Sequence, residues 1–274
     1  MKKTQQDSHP PKSVLIADND LLILEVVGDF LRASGFQVSV AHDGLEALDL
    51  CRRERPDFVI LDVVMPKIDG ARACWLIRQD PALRNTPIIA FSSLSPQDFR
   101  NFPELSADAY VAKGPMPATC EHIVQAIRKL EKNEERPSVD SGVVGYKDVR
   151  PRRMIQEMLD ERRHHANVLR ALGAGVLELD PNGRIFMANP GACRILKAKE
   201  IHLVGEPLAS FVSVQDRKTL QDLFAEFAGA TEPQQCRLDV RLGDTTVPLR
   251  LCAIIDGNVC GSILVIVEAR TSAV

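Results

Sequence analysis

Six polar side chains in the first half of the chain lie at, or just after, the ends of short apolar runs: Asp18, Asn19, Asp20, Asp62, Ser92 and Lys113. If these runs are strands of one parallel sheet, their carboxyl ends meet at the edge where the functional groups of such sheets gather. Carboxylates that share a pocket repel each other and favour a hard divalent cation with oxygen ligands, such as Mg²⁺. A carboxylate is also a competent nucleophile toward phosphorus, so the pattern indicates a pocket able to form an aspartyl phosphate.

The remaining members of this set suit the charge that develops during phosphoryl transfer. The cation would neutralise charge on one phosphoryl oxygen, the Lys113 ammonium would balance another, and the Ser92 hydroxyl would donate to a third. Each residue alone has an ordinary structural explanation, such as a helix cap for Asp18 or Asp20 and a solvated surface position for Lys113. Their joint spacing favours the pocket over these separate explanations.

A sheet is needed to bring these residues together, and the first half of the chain alternates strand and helix patterns. Apolar runs predict five strands, at residues 14–17, 37–40, 58–61, 87–91 and 109–112. Apolar residues at helical spacing predict helices between the strands and a last helix over 123–130. This alternation predicts an α/β fold, a doubly wound parallel sheet covered on both faces.

The pattern changes in the second half of the chain. Residues 132–153 are charged, with scattered Pro, Gly and Ser, and predict a linker, while residues 154–172 predict a connecting helix. The turn at 181–183 predicts a hairpin, and short helices are expected up to about Phe227. Three further strand patterns follow, at 235–242, 246–255 and 259–268. This half therefore predicts an α+β unit on an antiparallel sheet.

Composition restricts the classes of function. The chain has 274 residues, 45% of them hydrophobic and 26% charged, which is the balance of a globular protein of two domains. Its net charge of −3 gives no general attraction to nucleic acid or to anionic membranes, and no apolar run is long enough to span a bilayer. The seven scattered cysteines form no CxxC pair, which predicts a cytoplasmic protein. The polar residues 1–11 are expected to form a flexible tail rather than a secretory signal.

Four segments of the first half together resemble the receiver domain of two-component response regulators: VLIADND at 14–20, ILDVVMPKIDG at 60–70, PIIAFSS at 87–93 and AYVAKG at 109–114. The resemblance covers residues 12–131, and its pattern D-x-x-M-P-x-x-D-G is specific. It implies a flavodoxin-like sheet of five parallel strands, and it makes Asp62 the phosphoacceptor.

The same resemblance implies a role for each member of the pocket. Four ligands would hold Mg²⁺: Asp18, Asn19, Asp62 and the backbone carbonyl of Val64. Ser92 would be the switch hydroxyl and Lys113 the pocket lysine. Tyr110 matches the aromatic residue that moves inward after phosphorylation, although half-buried packing explains a tyrosine there equally well.

Two positions depart from the usual pattern of the family. Asn19 stands where a second acid is usual; an amide oxygen still coordinates Mg²⁺, but one negative charge fewer should weaken binding. Gly114 follows the pocket lysine where a proline is usual, and Pro115 comes one residue later. Neither change removes the nucleophile, so phosphorylation with altered rates is expected.

Residues 173–270, together with the end of the preceding helix, resemble a PAS domain. The resemblance lies in LGAGVLELDPNGRIFMANPGACRIL at 172–196, LVGEPLASFV at 203–212 and QDRKTLQDLF at 215–224, followed by the three strands. It implies a five-stranded antiparallel sheet with helices on one face. It also implies a homodimer formed through this domain and the connecting helix at 154–172.

The residues of the PAS half do not match the usual cofactor sites of the fold. Flavin photosensors attach the flavin to a cysteine, and Leu208 stands at that position after Gly205. His202 is a lone histidine before a loop and is expected on the surface rather than as a haem ligand, and Cys193 is expected to be a small buried hydrophobe. An unidentified small ligand in an apolar pocket stays open.

Together the two resemblances imply a response regulator of a phosphorelay. Its phosphodonor would be a sensor histidine kinase or a phosphotransfer protein, and its target a downstream signalling protein. No output enzyme is expected, and His164 and His165 lack the sequence that follows the phosphoacceptor of a kinase, so they are expected on a helix surface. Two alternatives stay open: a protein-docking scaffold that is not phosphorylated, and a PAS-based sensor of a small ligand.

Overall fold

The computed structural model describes residues 10–94, 102, 104–132, 144–145, 164–165, 167–243 and 245–267. The chain divides into two compact units, residues 1–152 and 153–274. The predicted tail, linker and connecting helix lie largely outside the described residues, so their boundaries stay predictions.

The first unit is a parallel sheet with helices between its strands. Its strands are β1 (Ser13–Ala17), β2 (Gln37–Ala41), β3 (Phe58–Asp62), β4 (Ile88–Ser92) and β5 (Ala109–Ala112). Its described helices are α1 (Leu21–Ala33), α2 (Gly44–Glu54), α3 (Gly70–Gln79) and α4 (Met116–Glu131). All neighbouring strands are parallel, in the order β2-β1-β3-β4-β5. The predicted doubly wound sheet is confirmed.

Burial of the strands and capping of the helices explain why this sequence forms these elements. Every residue of β3 and β4 is buried, as expected for parallel strands with helices on both faces. Asp20, Asp43 and Asp69 each accept a backbone N–H in the first turn of α1, α2 and α3, respectively. The apolar runs and these caps together fix where β1, β2 and β3 end and where α1, α2 and α3 begin. Within the described residues, no helix combines the length and apolar character that crossing a bilayer requires.

The second unit is an antiparallel sheet. Its strands are β6 (Gly175–Leu179), β7 (Ile185–Ala188), β8 (Gln235–Leu242), β9 (Thr245–Asp256) and β10 (Val259–Val267). Between β7 and β8 lie α5 (Pro190–Ile195), α6 (Glu200–Leu203), a 3-10 helix (Leu208–Phe211) and α7 (Val214–Ala228). The strand order is β7-β6-β10-β9-β8, with every neighbouring pair antiparallel. The predicted five-stranded α+β fold is confirmed.

The core of the second unit lies between this sheet and α7. Leu220, Phe224 and Phe227 of α7 pack in one apolar cluster with the inward side chains of the strands. Phe224 also lies against the turn between β6 and β7. A Cβ at Gly183, where φ is +80°, would come within 2.3 Å of the Phe224 ring. The hairpin predicted at residues 181–183 therefore packs directly onto α7.

One buried side chain joins the segment ahead of β6 to the sheet. Asn189, at 1% exposure, accepts the N–H groups of Val176 and Ala192, each at 2.8 Å. Its amide donates to the carbonyls of Leu169 and Ala174 at 3.0 and 2.9 Å. Because unpaired buried polar groups cost free energy, these bonds fix the chain ahead of β6 to the second unit.

We expect Asn189→Ala to lower the free energy of unfolding of the second unit by about 2–4 kcal/mol, because several buried backbone groups lose their partner. Circular dichroism during urea unfolding should show this loss. The fluorescence of Trp75 should not, because the only tryptophan of the chain belongs to the first unit. Asn182→Ala, in the exposed part of the turn, is the matched control and should change neither signal. A loss below about 0.5 kcal/mol for Asn189→Ala would contradict this role.

Candidate functional site

Four of the predicted residues meet at the carboxyl edge of the first sheet. Asp62 and Ser92 are the last residues of β3 and β4, while Asp18 and Lys113 directly follow β1 and β5. Since β1, β3, β4 and β5 are successive neighbours in a parallel sheet, these four ends lie side by side. Asp18, Asp62 and Ser92 are 0, 3 and 1% exposed, so they form the floor of a buried pocket.

The Lys113 ammonium bridges the two buried carboxylates. Its Nζ lies 2.7 Å from Oδ2 of Asp18 and 2.9 Å from Oδ2 of Asp62. It also lies 5.3 Å from the centroid of the Phe91 ring, whose negative face favours a cation. Two carboxylates and one ammonium leave the cluster with a net negative charge when both acids are ionised. The pocket can therefore attract a further cation.

Burial and the neighbouring charges set the ionisation of Asp62. Burial raises the pKa of Asp62 to about 6; the Lys113 ammonium opposes this rise, Asp18 adds to it, and the N–H of Val64 also favours the carboxylate. Burial alone would lower the pKa of Lys113, but Asp62 and Asp18 outweigh it, so the pKa is raised and the amine stays charged. At neutral pH Asp62 is thus predominantly a carboxylate, which is the nucleophilic form.

The Ser92 hydroxyl is buried and meets no hydrogen-bond partner in the part of the chain that the structure describes. A buried polar group left unpaired costs roughly 1–3 kcal/mol, so such a hydroxyl is expected to meet a group bound in the pocket. The backbone around it is held in place, because the N–H of Lys113 donates to the carbonyl of Ser92 at 2.9 Å. The hydroxyl can therefore donate to an anionic oxygen beside the end of β3.

Asn19 and Asp20 lie at the exposed rim of the pocket. Oδ1 of Asp20 accepts the N–H of Leu22 at 3.0 Å and so caps α1, while the N–H of Asp20 donates to Oδ1 of Asp18 at 3.0 Å. Because its carboxylate is engaged by the helix, Asp20 does not replace the charge that Asn19 lacks. Asp18 and Asp62 are the two acids of the pocket floor.

The donors around the pocket fit a hard divalent cation. The carboxylates of Asp18 and Asp62 supply oxygens, the ligand type that Mg²⁺ prefers. The amide oxygen of Asn19 and the carbonyl of Val64 stay predicted ligands. The hydroxyl of Ser92, unpaired within the described part of the chain, adds a donor for the anion that such a cation would accompany. With two carboxylates the site should bind Mg²⁺ more weakly than a site with three.

Two contacts that sequence reasoning missed hold the loop that follows Asp62. A Cβ at Gly70 would lie 2.0 Å from the backbone oxygen of Asp62, so only glycine allows α3 to begin this close to β3. Lys67 has a φ of 58°, and its ammonium pairs at 2.6 Å with Asp43, which lies between β2 and α2. The final glycine of the D-x-x-M-P-x-x-D-G pattern is the only sequence signal for the first contact. No motif in the sequence indicates the second contact, the ion pair between Lys67 and Asp43.

Tyr110 lies inward. It is 4% exposed, and its hydroxyl donates to the carbonyl of Leu105 at 3.3 Å. The loop ahead of β5 is held by Arg78, which pairs with Asp108 at 2.7 Å and donates to the carbonyl of Ser106 at 3.1 Å. The inward position of this ring therefore does not require a phosphoryl group. Its role as a switch stays a prediction.

The residues considered for cofactor binding in the second unit lie in different surroundings. Leu208 is buried in the apolar core, whereas His202 is exposed. Cys193 was expected to be buried, but it is only half-buried and packs against the rim of the core. His164 and His165 are exposed helical residues.

Comparison with known proteins identifies both units. Residues 14–128 match the response regulator receiver domain, and residues 163–267 match the PAS fold. The polar-differentiation response regulator DivK of Brucella anthropi is 33% identical over 104 residues, which cover 38% of this chain and 85% of DivK. The probable transcriptional regulator ycf27 of Guillardia theta is 38% identical over 143 residues, 51% of this chain and 55% of that protein. The solved structure of CheY4 of Vibrio cholerae is 28% identical, covers 43% of this chain and 98% of its own, and has a TM-score of 0.40.

The fold, the pocket and the two family matches define a receiver domain followed by a PAS domain. The chain belongs to the response regulators of two-component systems. Both resemblances inferred from the sequence are thereby confirmed, while the roles of the individual pocket residues stay predictions.

We expect the carboxyl of Asp62 to titrate near pH 6 in metal-free protein, above the value of about 4 that is usual for aspartate. Asp18→Asn should lower this midpoint because it removes a repelling charge, and Lys113→Met should raise it because it removes an attracting one. Carbon NMR of labelled aspartate measures the midpoint, with the exposed Asp57→Asn as control. A midpoint near 4 that neither pocket substitution moves would contradict the prediction. Since protonation removes the nucleophile, phosphorylation should slow as the pH falls below the midpoint.

Proposed function

We propose that Asp62 accepts a phosphoryl group from the phosphohistidine of a sensor histidine kinase or a phosphotransfer protein. A carboxylate oxygen of Asp62 forms a bond to phosphorus while the phosphorus–nitrogen bond breaks. The electron pair leaves with the imidazole nitrogen, which takes up a proton, and the product is an aspartyl phosphate.

The side chains of the pocket are suited to assist this transfer. The Lys113 ammonium, 2.9 Å from Oδ2 of Asp62, can balance the negative charge that arrives with the phosphoryl group. The Ser92 hydroxyl can donate to one of the phosphoryl oxygens. Mg²⁺, when bound, would supply charge neutralisation on those oxygens. The residues that would hold it are Asp18, Asn19, Asp62 and the backbone carbonyl of Val64.

The observation that best supports this proposal is the buried hydroxyl of Ser92, which meets no hydrogen-bond partner among the described residues. A purely structural ion-pair cluster would account for Asp18, Asp62 and Lys113, since the Lys113 ammonium lies within 2.9 Å of a carboxylate oxygen of each acid. It would not account for a hydroxyl without a partner beside that cluster. An incoming phosphoryl group would pair this hydroxyl and would sit next to the nucleophile.

We expect wild-type protein incubated with acetyl phosphate and excess Mg²⁺ to show a phosphorylated band on a Phos-tag gel and an added mass of one phosphoryl group. Asp62→Ala should abolish both, and Ser92→Ala should slow the reaction by roughly 10²-fold, the size of one lost transition-state donor. Asp20→Asn is the matched control, because asparagine also caps a helix and the pocket keeps its two acids. An unchanged rate in Asp62→Ala would overturn the proposal.

A second candidate function is favoured by the charge of the pocket. Asn19 is an amide and Asp20 is engaged as the cap of α1, so the pocket floor holds two acids. A receiver that binds Mg²⁺ too weakly to be phosphorylated would act as a protein-docking scaffold. Wild-type protein that shows no phosphorylated band even at high Mg²⁺ concentration would favour this scaffold over the phosphoacceptor.

We further propose that the PAS domain relays the state of the receiver by pairing with a second copy of the chain. Val168 and Leu172, in the segment ahead of β6, are 47 and 43% exposed and apolar, and they lie four residues apart, about one helical turn. A helix with exposed apolar residues at this spacing is suited to pack against another helix. No cofactor is proposed for the PAS core, where Leu208, Phe224 and Phe227 pack as apolar side chains.

We expect Val168→Glu to weaken homodimerisation by about tenfold or more, because it places a charge in the apolar contact. Sedimentation equilibrium of the full chain measures the dissociation constant. Arg170→Glu, exposed on the same helical segment but already charged in the wild type, is the control and should change it by less than about threefold. A monomeric wild type, or equal effects of the two substitutions, would argue against pairing through this segment.

A further inference from the structure

A residue from the predicted linker pairs with the edge of the receiver sheet. β5 is the last strand of that sheet and has β4 as its neighbour on one side. On its other side, the N–H of Val144 donates to the carbonyl of Tyr110 at 3.0 Å, and the N–H of Ala112 donates to the carbonyl of Val144 at 2.9 Å. The pairing is parallel, as in the rest of the sheet. Val144 therefore occupies a position beside β5 that a sixth strand would take.

The next residue fits closely against α4. Gly145 has a φ of +82°, which side chains rarely adopt, and a Cβ there would lie 2.7 Å from Nδ1 of His122 on α4. Glycine is therefore required at this position for the observed backbone path. The two described residues of the segment thus meet the receiver in different ways, Val144 through backbone hydrogen bonds and Gly145 through a close steric fit.

A free strand edge presents unpaired N–H and C=O groups that another strand can pair with. Pairing of an added strand along such an edge is a general mode of peptide recognition. Val144 is β-branched and suits a strand, and it satisfies one donor and one acceptor of β5. We infer that the edge of β5 is a strand-docking site of the receiver, and that its occupant is the stretch at residues 144–145 of this same chain.

The docking site lies close to the phosphoacceptor pocket. Ala112, which donates to Val144, directly precedes Lys113, whose ammonium holds Asp18 and Asp62. A group bound at Asp62 would also engage Lys113 and so would act on this end of β5. The hydrogen bond from Ala112 to Val144 is 2.9 Å long, so a displacement of the strand end that lengthens it beyond about 3.2 Å would weaken it. This coupling rests on the proposed phosphoacceptor role, whereas the docking itself does not.

Hydrogen exchange of the Ala112 amide in the full chain, followed by NMR, tests the docking. In wild type this amide should be protected. Val144→Pro removes the N–H group that donates to the carbonyl of Tyr110. Because this loosens the pairing of residue 144 with β5, the Ala112 amide should exchange about tenfold faster or more. Val144→Thr keeps the backbone donor and the β-branch, so it should stay within about twofold of wild type. The amide of Val59, which donates to Pro87 inside the sheet, reports whether the receiver of each variant is folded and should stay protected in all of them.

Two results would overturn the docking. One is an Ala112 amide that exchanges in wild type as fast as in Val144→Pro while Val59 stays protected. The other is a protection that rises with protein concentration, since this would mean that the occupant comes from a second copy. Protection that is equal over a roughly tenfold range of concentration supports the chain's own segment.

The coupling is tested with beryllofluoride and Mg²⁺, which together imitate an aspartyl phosphate. The additive should speed exchange at Ala112 about threefold or more in wild type and have no effect in Asp62→Ala. Unchanged exchange in a wild type that Phos-tag gels show to be phosphorylated would overturn the coupling alone. Absence of a phosphorylated band would instead overturn the phosphoacceptor role, and the docking would still be decided by Val144→Pro.

Discussion

The Lys113 ammonium between two buried carboxylates is the interaction on which the receiver depends. Asp18 and Asp62 are almost fully buried, and their negative charges raise each other's free energy in a medium of low dielectric constant. One ammonium within 2.9 Å of both offsets this repulsion. Removing one partner of a buried ion pair typically costs about 3–5 kcal/mol, so the chemistry of the pocket and the stability of the sheet edge are linked.

The parallel topology is what makes this arrangement possible. The residues of the cluster are far apart in sequence, and only the shared direction of β1, β3 and β5 brings their ends to one edge. Other aspartates near this edge act as helix caps instead, because their hydrogen bonds to nearby backbone groups determine their role. Asp20 and Asp43 accept N–H groups of the following helix and act as caps. Burial without such a bond to a helix leaves Asp62 available for chemistry.

The sequence alone was sufficient to predict the fold class and the meeting of Asp18, Asp62, Ser92 and Lys113 at one edge of the first sheet. Alternating apolar runs and helical stripes predicted both sheets, since local periodicity determines which faces are buried. The pattern around Asp62 indicated the receiver domain. The sequence could not show that Asp20 is engaged by α1 or that Tyr110 lies inward, because a side chain's direction depends on its neighbours in three dimensions. It also could not show the pairing of Val144 with β5, which joins segments separated by a whole helix.

The hydrogen bonds of Asn189 have a mechanical consequence. The one amide group connects the carbonyls of Leu169 and Ala174 to the start of β6 and the start of α5. A pulling force applied to the chain ahead of residue 169 would therefore act on the hydrogen bonds of this side chain before it could separate β6 from the sheet. We expect these hydrogen bonds to break together rather than one by one, since they share one rigid planar amide group.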